Sequence, residues 1–234
     1  MRIINVEKSS VVDYPPNISA VVFLAGCNMR CSFCYNKTIL DPETKALPEI
    51  PESEFFAWLG ERVGKLGAVC VTGGEPTMNG MELTAFLFNI GRMGFKIKLD
   101  TNGTNPNLLS FLIKNRLVDF IAMDVKSSPK RYDSACGIEA NLDNIDKSIR
   151  LIIESKIDHE FRTTVHPRLH DKKDLMEIAK WIKDAKLYSL QQYVKNDVLD
   201  PTLNDCNLYS TDWLNEVKTS IESMNLIDKV QVKS

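Results

Sequence analysis

Histidine is scarce in this chain. There are three in 234 residues, His159, His166 and His170. None falls in a recognisable motif, and isolated histidines are usually structural, so none is assigned a role. An excess of one charge is also missing. Lysine and arginine (29) nearly balance aspartate and glutamate (31), the net charge is −2, and no long basic run occurs. That removes the electrostatic case for a nucleic-acid or membrane-surface partner. Long apolar runs are absent too. The longest, residues 18–26, is broken by Ser19 and is far too short to span a bilayer. The start, MRIINVEKSS, lacks the basic opening and apolar core of an export signal, so a cytoplasmic location is expected. Neither low-complexity segments nor linkers interrupt the chain. With 44% hydrophobic residues, 1–234 is expected to fold as one globular domain.

What is present is a tight group of cysteines. Cys70, Cys136 and Cys206 are scattered, but Cys27, Cys31 and Cys34 lie within eight residues, CNMRCSFC. Disulfide frameworks belong to small secreted chains, so in a reducing compartment this triplet points to metal. Three thiolates on a short loop, here 26–36, suit one face of an iron–sulfur cube and leave one iron open to a small chelator. Structural zinc normally takes four ligands in paired spacing. No fourth Cys or His lies nearby, and the first histidine is His159. Cys70 sits inside a strand-like run and reads as core. Cys136 and Cys206 carry no assignment, because two more cysteines cannot build a second four-cysteine cluster.

The rest of the chain alternates. β-branched runs predict strands over 18–25, 68–72, 96–100, 120–124, 160–165 and 189–194. Helical spacing predicts helices over 52–65, 81–93, 107–114, 141–154, 172–184 and 211–223. Leu83, Phe86, Leu87 and Ile90 share one helix face; Leu175, Ile178, Ala179 and Ile182 share another. Six strand–helix units in a row argue for a parallel sheet covered by helices. A full eight-fold barrel usually takes about 250 residues. The expected fold is therefore α/β, a partial, open (β/α)6 TIM-like barrel, with a doubly wound open sheet as the competing form.

In either form the working face lies at the C-terminal ends of the strands. The unusual polar motifs all fall there. The cysteine loop follows the first predicted strand and Gly73-Gly74-Glu75-Pro76 the second. Asp100-Thr101-Asn102-Gly103 ends the third and Asp124-Val125-Lys126 the fourth. Arg162 lies in the fifth, and Gln191-Gln192 in the sixth. Each has a plain reading beside a chemical one. A glycine pair is by default a turn, yet it also lets backbone approach a ligand closely. Asn102-Gly103 reads as a tight turn, yet oxygens at a strand end suit ribose hydroxyls or a cation. Alternation puts Asp124 and Lys126 on one side of their strand, where a surface ion pair is the plain reading. The Arg162 guanidinium suits a carboxylate. Only one of Gln191 and Gln192 can face inward.

The C-x3-C-x2-C spacing, with an aromatic before the third cysteine, resembles the signature of the radical S-adenosylmethionine (SAM) superfamily. GGEP, DTNG and D-x-K resemble motifs of its glycyl-radical enzyme activating enzymes. VVDYPPNISAVVFLAGCNMRCSFCYN and DVKSSPKRYDSACG resemble the activating proteins of anaerobic ribonucleoside-triphosphate reductase. The resemblance implies a [4Fe–4S] cluster on Cys27, Cys31 and Cys34, with the amino and carboxylate groups of SAM on the fourth iron. It implies Phe33 near the adenine, and Gly73, Gly74, Glu75 and Pro76 at the SAM amino group. It further implies SAM contacts from Asp100, Asn102, Asp124, Lys126 and Arg162. The implied activity is that of an oxidoreductase. One electron from a donor such as flavodoxin or ferredoxin cleaves SAM to a 5′-deoxyadenosyl radical, which takes hydrogen from a glycine in a partner such as anaerobic ribonucleotide reductase. No catalytic residue beyond the cluster and SAM ligands is needed. Two departures stand out: Tyr35, where a histidine commonly follows the third cysteine, and the stretch from Ser189 onward, which resembles little. The rival readings are a radical SAM enzyme acting on a small molecule, such as a 7-carboxy-7-deazaguanine synthase, and a non-enzymatic iron–sulfur electron carrier. An electron carrier has no use for nucleoside-site motifs such as GGEP and DTNG.

Overall fold

The computed structural model describes residues 1–43, 45 and 47–233. Eight strands follow one another in chain order across one sheet: β1 Ile3–Ser10, β2 Ser19–Leu24, β3 Ala68–Gly73, β4 Lys96–Thr101, β5 Phe120–Asp124, β6 Asp158–Val165, β7 Tyr188–Gln192 and β8 Val230–Lys233. Its first and last strands are edges, so the sheet is open. β1 and β2 form an antiparallel pair. β2–β3, β3–β4, β6–β7 and β7–β8 are parallel.

Six main helices supply the crossovers: α1 Glu52–Gly60, α2 Gly80–Arg92, α3 Pro106–Lys114, α5 Leu142–Glu154, α6 Lys172–Trp181 and α7 Thr211–Glu222. A five-residue helix, α4 Tyr132–Cys136, precedes α5. Every expected strand–helix unit is present. Two helices stop early. After α1, tight turns carry the chain from Leu59 to Leu66, and after α6 the backbone turns through Asp184 at positive φ. None of the described helices is long and apolar enough to cross a membrane.

The chain divides into two compact units: residues 1–28, 38–101 and 105–121, and residues 29–37, 102–104 and 122 onward. In the first, α2 buries Leu83, Phe86, Leu87 and Ile90, the face its spacing predicts, and Phe86 packs 5.3 Å from Phe55 of α1. In the second, α5 buries Ile145, Ile149 and Ile152, and α7 buries Leu214, Val217 and Ile221. Leu175, Ile178, Ala179 and Ile182 are likewise buried. A reciprocal cap between Asp171 and Asp174 starts α6.

Candidate active site

In the first unit, β2 leads into the cysteine loop. Gly26 N donates to Ile39 O (2.7 Å) and Cys27 N to Leu40 O (3.0 Å), so the returning leg of the loop holds the first cysteine. β3 ends alongside, in Gly73-Gly74. A Cβ at Gly73 would stand 2.3 Å from the Leu24 nitrogen, and one at Gly74 would stand 1.9 Å from the Gly26 oxygen. Gly74 N donates to Leu24 O (2.9 Å), and Glu75 N to Gly26 O (2.7 Å). The glycine pair therefore has a reason of its own: it lets β3 close against the turn that carries Cys27. Glu75 is 1% exposed. Its Oε1 accepts from Thr77 N (3.1 Å), from the Thr77 hydroxyl and from Thr101 Oγ1 (2.8 Å), tying the end of β3 to the end of β4. Pro76 opens the short turn Pro76–Asn79.

Asp100 lies 3.2 Å from Lys98 Nζ, and that ammonium donates to Asp13 O (2.7 Å). Lys98 is buried, and its charge stands 5.9 Å from the centre of the Phe120 ring. The carboxylate expected at a ribose or cation thus has a fixed cation beside it. The sequence reading missed Lys98, although the spacing K-x-D already puts the two side chains on one strand face.

In the second unit, the remainder of the cysteine loop is gripped on two sides. Arg30 N donates to Cys136 O at the end of α4 (2.8 Å). On the other side, Leu199 N donates to Cys34 O (3.2 Å) and Asp200 N to Ser32 O (2.8 Å). The Tyr35 hydroxyl donates to Val194 O (3.0 Å) and accepts from Val194 N (3.1 Å). Its ring stacks on Tyr193, with centres 6.0 Å apart, and Lys37 pairs with Asp197. Cys31 and Phe33 are buried and Cys34 is half-buried. Burial pushes the Cys34 thiol up, opposed by a hydrogen bond with the Asn36 backbone and by the charges of Lys126 and Arg30.

Three predicted residues meet in this unit. Asp124 Oδ1 accepts from Arg162 Nε (2.7 Å), and Oδ2 lies 3.0 Å from Lys126 Nζ. The side chains are 32% (Asp124), 13% (Arg162) and 13% (Lys126) exposed, so this is a partly buried triad rather than a surface pair. Burial alone would raise the Asp124 pKa, but Arg162 and Lys126 outweigh it and hold the carboxyl well below its usual range. Burial would lower Lys126, and Asp124 reverses that too. The Lys126 ammonium also stands 5.8 Å from the centre of the Phe33 ring.

Asn102 makes the plain turn. Its Oδ1 accepts from Thr104 N (3.1 Å) and Thr104 Oγ1 (2.7 Å). A Cβ at Gly103 would stand 2.0 Å from Met123 Cε. The two glutamines part company. Gln192 bonds Tyr209 O and the Thr211 hydroxyl, at the approach to α7, so Gln191 points the other way, with Ser189.

None of the six cysteines is joined in a disulfide. Cys70 is core, and burial pushes its thiol up to about 12. Cys206 Sγ lies 3.5 Å from His166 Nε2. The three histidines are buried and bonded to backbone. Among the described residues, no three His, Cys, Asp or Glu side chains are grouped as ligands of a single metal ion. A four-iron cube asks for no such grouping, since each thiolate binds a different iron. Soft thiols on one loop fit that cluster by donor chemistry.

An open, largely parallel α/β sheet with a cysteine-triplet loop and polar motifs at its strand ends defines a class of cofactor-dependent enzyme. Residues 21–182 match the family model of the Radical SAM superfamily. The chain belongs to that superfamily and is a radical SAM enzyme whose cofactors are a [4Fe–4S] cluster and SAM. It is 34% identical over 197 residues to a Methanocaldococcus jannaschii protein provisionally named a glycyl-radical enzyme activating enzyme, across 82% of this chain and 79% of that protein. It is 29% identical over 144 residues to 7-carboxy-7-deazaguanine synthase of Koribacter versatilis, across 60% of this chain and 58% of that protein. In fold it is like Streptococcus suis SuiB bound to S-adenosylmethionine, with a TM-score of 0.70 at 12% identity, over 92% of this chain and 52% of SuiB.

Proposed function

We propose that this enzyme installs a glycyl radical on a partner of the anaerobic ribonucleotide reductase kind, in the cytoplasm, with a flavodoxin or ferredoxin as electron donor. The observation that carries this reading is the similarity to the M. jannaschii activating enzyme over most of both chains. Cys27, Cys31 and Cys34 hold the cluster. The bound cluster would pass one electron from the donor to SAM, and SAM would supply the deoxyadenosyl group that takes a hydrogen atom from the glycine Cα.

The chain's own residues bind, orient and exclude water. Arg162 and Lys126, pinned by Asp124, present fixed positive charge to the SAM carboxylate. Phe33 takes one face of the adenine. The backbone of Gly73–Pro76 meets the SAM amino group, while Glu75 holds that segment rigid through Thr77 and Thr101. Asp100 meets the ribose, and Asn102 shapes the adjoining turn. Hydrogen-atom transfer needs no general base, so orientation and dryness are the protein's contribution.

The test mixes the reduced protein and SAM with the anaerobic ribonucleotide reductase of the same organism under spin resonance. A glycyl doublet that disappears on Gly→Ala substitution in the partner is the expected result. The second reading, a small-molecule substrate, draws on the synthase similarity. Absence of a doublet with every glycyl-radical enzyme of that organism, alongside turnover of a small molecule, would establish it instead.

A further inference from the structure

Thr164 of β6 and Gln191 of β7 are register partners in the parallel ladder. Both are half-buried, and among the described residues neither side chain has a hydrogen-bond partner. Their neighbours on the same strand faces are all engaged. Arg162, two residues before Thr164, holds Asp124. Ser189, two before Gln191, donates to Glu160, which also accepts from Gln231 and Lys233. The two unpartnered groups stand one step nearer the C-terminal strand ends than the triad arginine, on the side where folds of this class do their chemistry. The polar atoms of both reach solvent, so a ligand can meet them there.

Neither group is charged. A carboxamide offers an acceptor beside two N–H donors, and a hydroxyl can do either. That set mirrors one chemical group in particular, the peptide unit, whose N–H and C=O are each neutral and lie close together. We propose that Thr164 and Gln191 form a specificity subsite that binds a main-chain amide of the substrate segment beside the reacting glycine. The inference rests on the glycine-peptide reading above and adds to it the group that is recognised.

The test is a binding measurement on the cluster-loaded protein with SAM, by anaerobic titration calorimetry. The probe is an eight-residue peptide copying the glycine loop of the same organism's anaerobic ribonucleotide reductase. Three further probes replace one amide each by an ester, at the glycine and at its two neighbours. An ester keeps the shape and removes the N–H. Wild-type protein is expected to bind one ester about tenfold more weakly than the amide peptide. In Gln191→Leu that ratio falls to about one, whereas Gln191→Glu, which keeps an acceptor oxygen, retains it. Thr164→Val weakens the amide peptide severalfold. A wild-type protein indifferent to all three esters, or a preference that persists in Gln191→Leu, overturns the subsite alone. A wild-type protein that binds no glycine peptide but does bind a small molecule overturns the parent reading with it.

Discussion

Asp124 shares its two oxygens between Arg162 and Lys126, so its removal leaves two partly buried cations facing each other. With about a third of the carboxylate side chain exposed, solvent screens part of the loss. Asp124→Asn is expected to cost about 1–3 kcal/mol at neutral pH, measured by denaturant unfolding of the cluster-free protein. Because the folded-state pKa is depressed, the carboxylate's contribution is complete above its unfolded value of about 3.9 and is lost as pH falls through the lower folded value. The gap between wild type and variant should stay constant from about pH 5 to pH 8 and close only in stronger acid. His170 works in a separate window. Burial pushes its pKa down to about 4, opposed by its bond to Lys126 O, while the unfolded imidazole titrates near 6.5. Its stabilisation is full above about pH 6.5 and is lost toward pH 4, because the unfolded chain takes up the proton first. About 3 kcal/mol should disappear across that window. His170→Gln should flatten this part of the profile, and an unchanged slope would show that another group controls it. His159 and His166, also lowered by burial, steepen the profile in the same direction.

The stretch with the least family resemblance packs against the cysteine loop. Residues 193–200 clasp the cysteine loop through Tyr193, Val194, Asp197, Leu199 and Asp200. Tyr35, the departure from the usual histidine, supplies both a ring stack and a hydroxyl that bridges the Val194 N–H and C=O. Tyr35→Phe should lose about 1 kcal/mol of local stability, and Tyr35→Ala more. Amide exchange should quicken in both 31–37 and 193–200, and iron retention should fall. Protection unchanged in both segments would dismiss the clasp. Little of this was legible beforehand, because most of the contacts use backbone atoms such as Ser32 O and Cys34 O, which leave no mark in a side-chain pattern. The same limit hid β1 and β8. β1 exposes most of its second half, VEKSS, as an edge strand does, and so lacks the continuous apolar run of a central strand. β8 has four residues, too few for a periodicity to register. The central strands and the helices with one apolar face, by contrast, were read correctly because burial on a sheet or helix face writes a period into the sequence.

For the molecule as a whole, the sequence conveyed the chemistry of the site more fully than its mechanics. The superfamily and its cofactors followed from the resemblance carried by the cysteine triplet and the strand-end motifs. Two of the supports could not be read from the sequence: Glu75 bridging to Thr101 and the glycine pair fitted against Leu24 and Gly26 depend on which strand lies next to which. The chain also holds little of the equipment of acid–base catalysis. Its three histidines are buried and committed to backbone partners, and the Asp124 carboxylate is held ionised between two cations, so it is a poor proton carrier near neutral pH. If the reaction is transfer of a hydrogen atom from glycine, the hydrogen gained by 5′-deoxyadenosine comes from the substrate carbon and never from water. A partner enzyme labelled with deuterium at its glycine Cα positions should therefore give 5′-deoxyadenosine carrying one deuterium, read by mass spectrometry. The unlabelled partner in heavy water should give product without it. Deuterium entering from solvent, with none from the labelled glycine, would mean that the abstracted hydrogen lies elsewhere on an exchangeable group, and would rule out glycine as the site of attack.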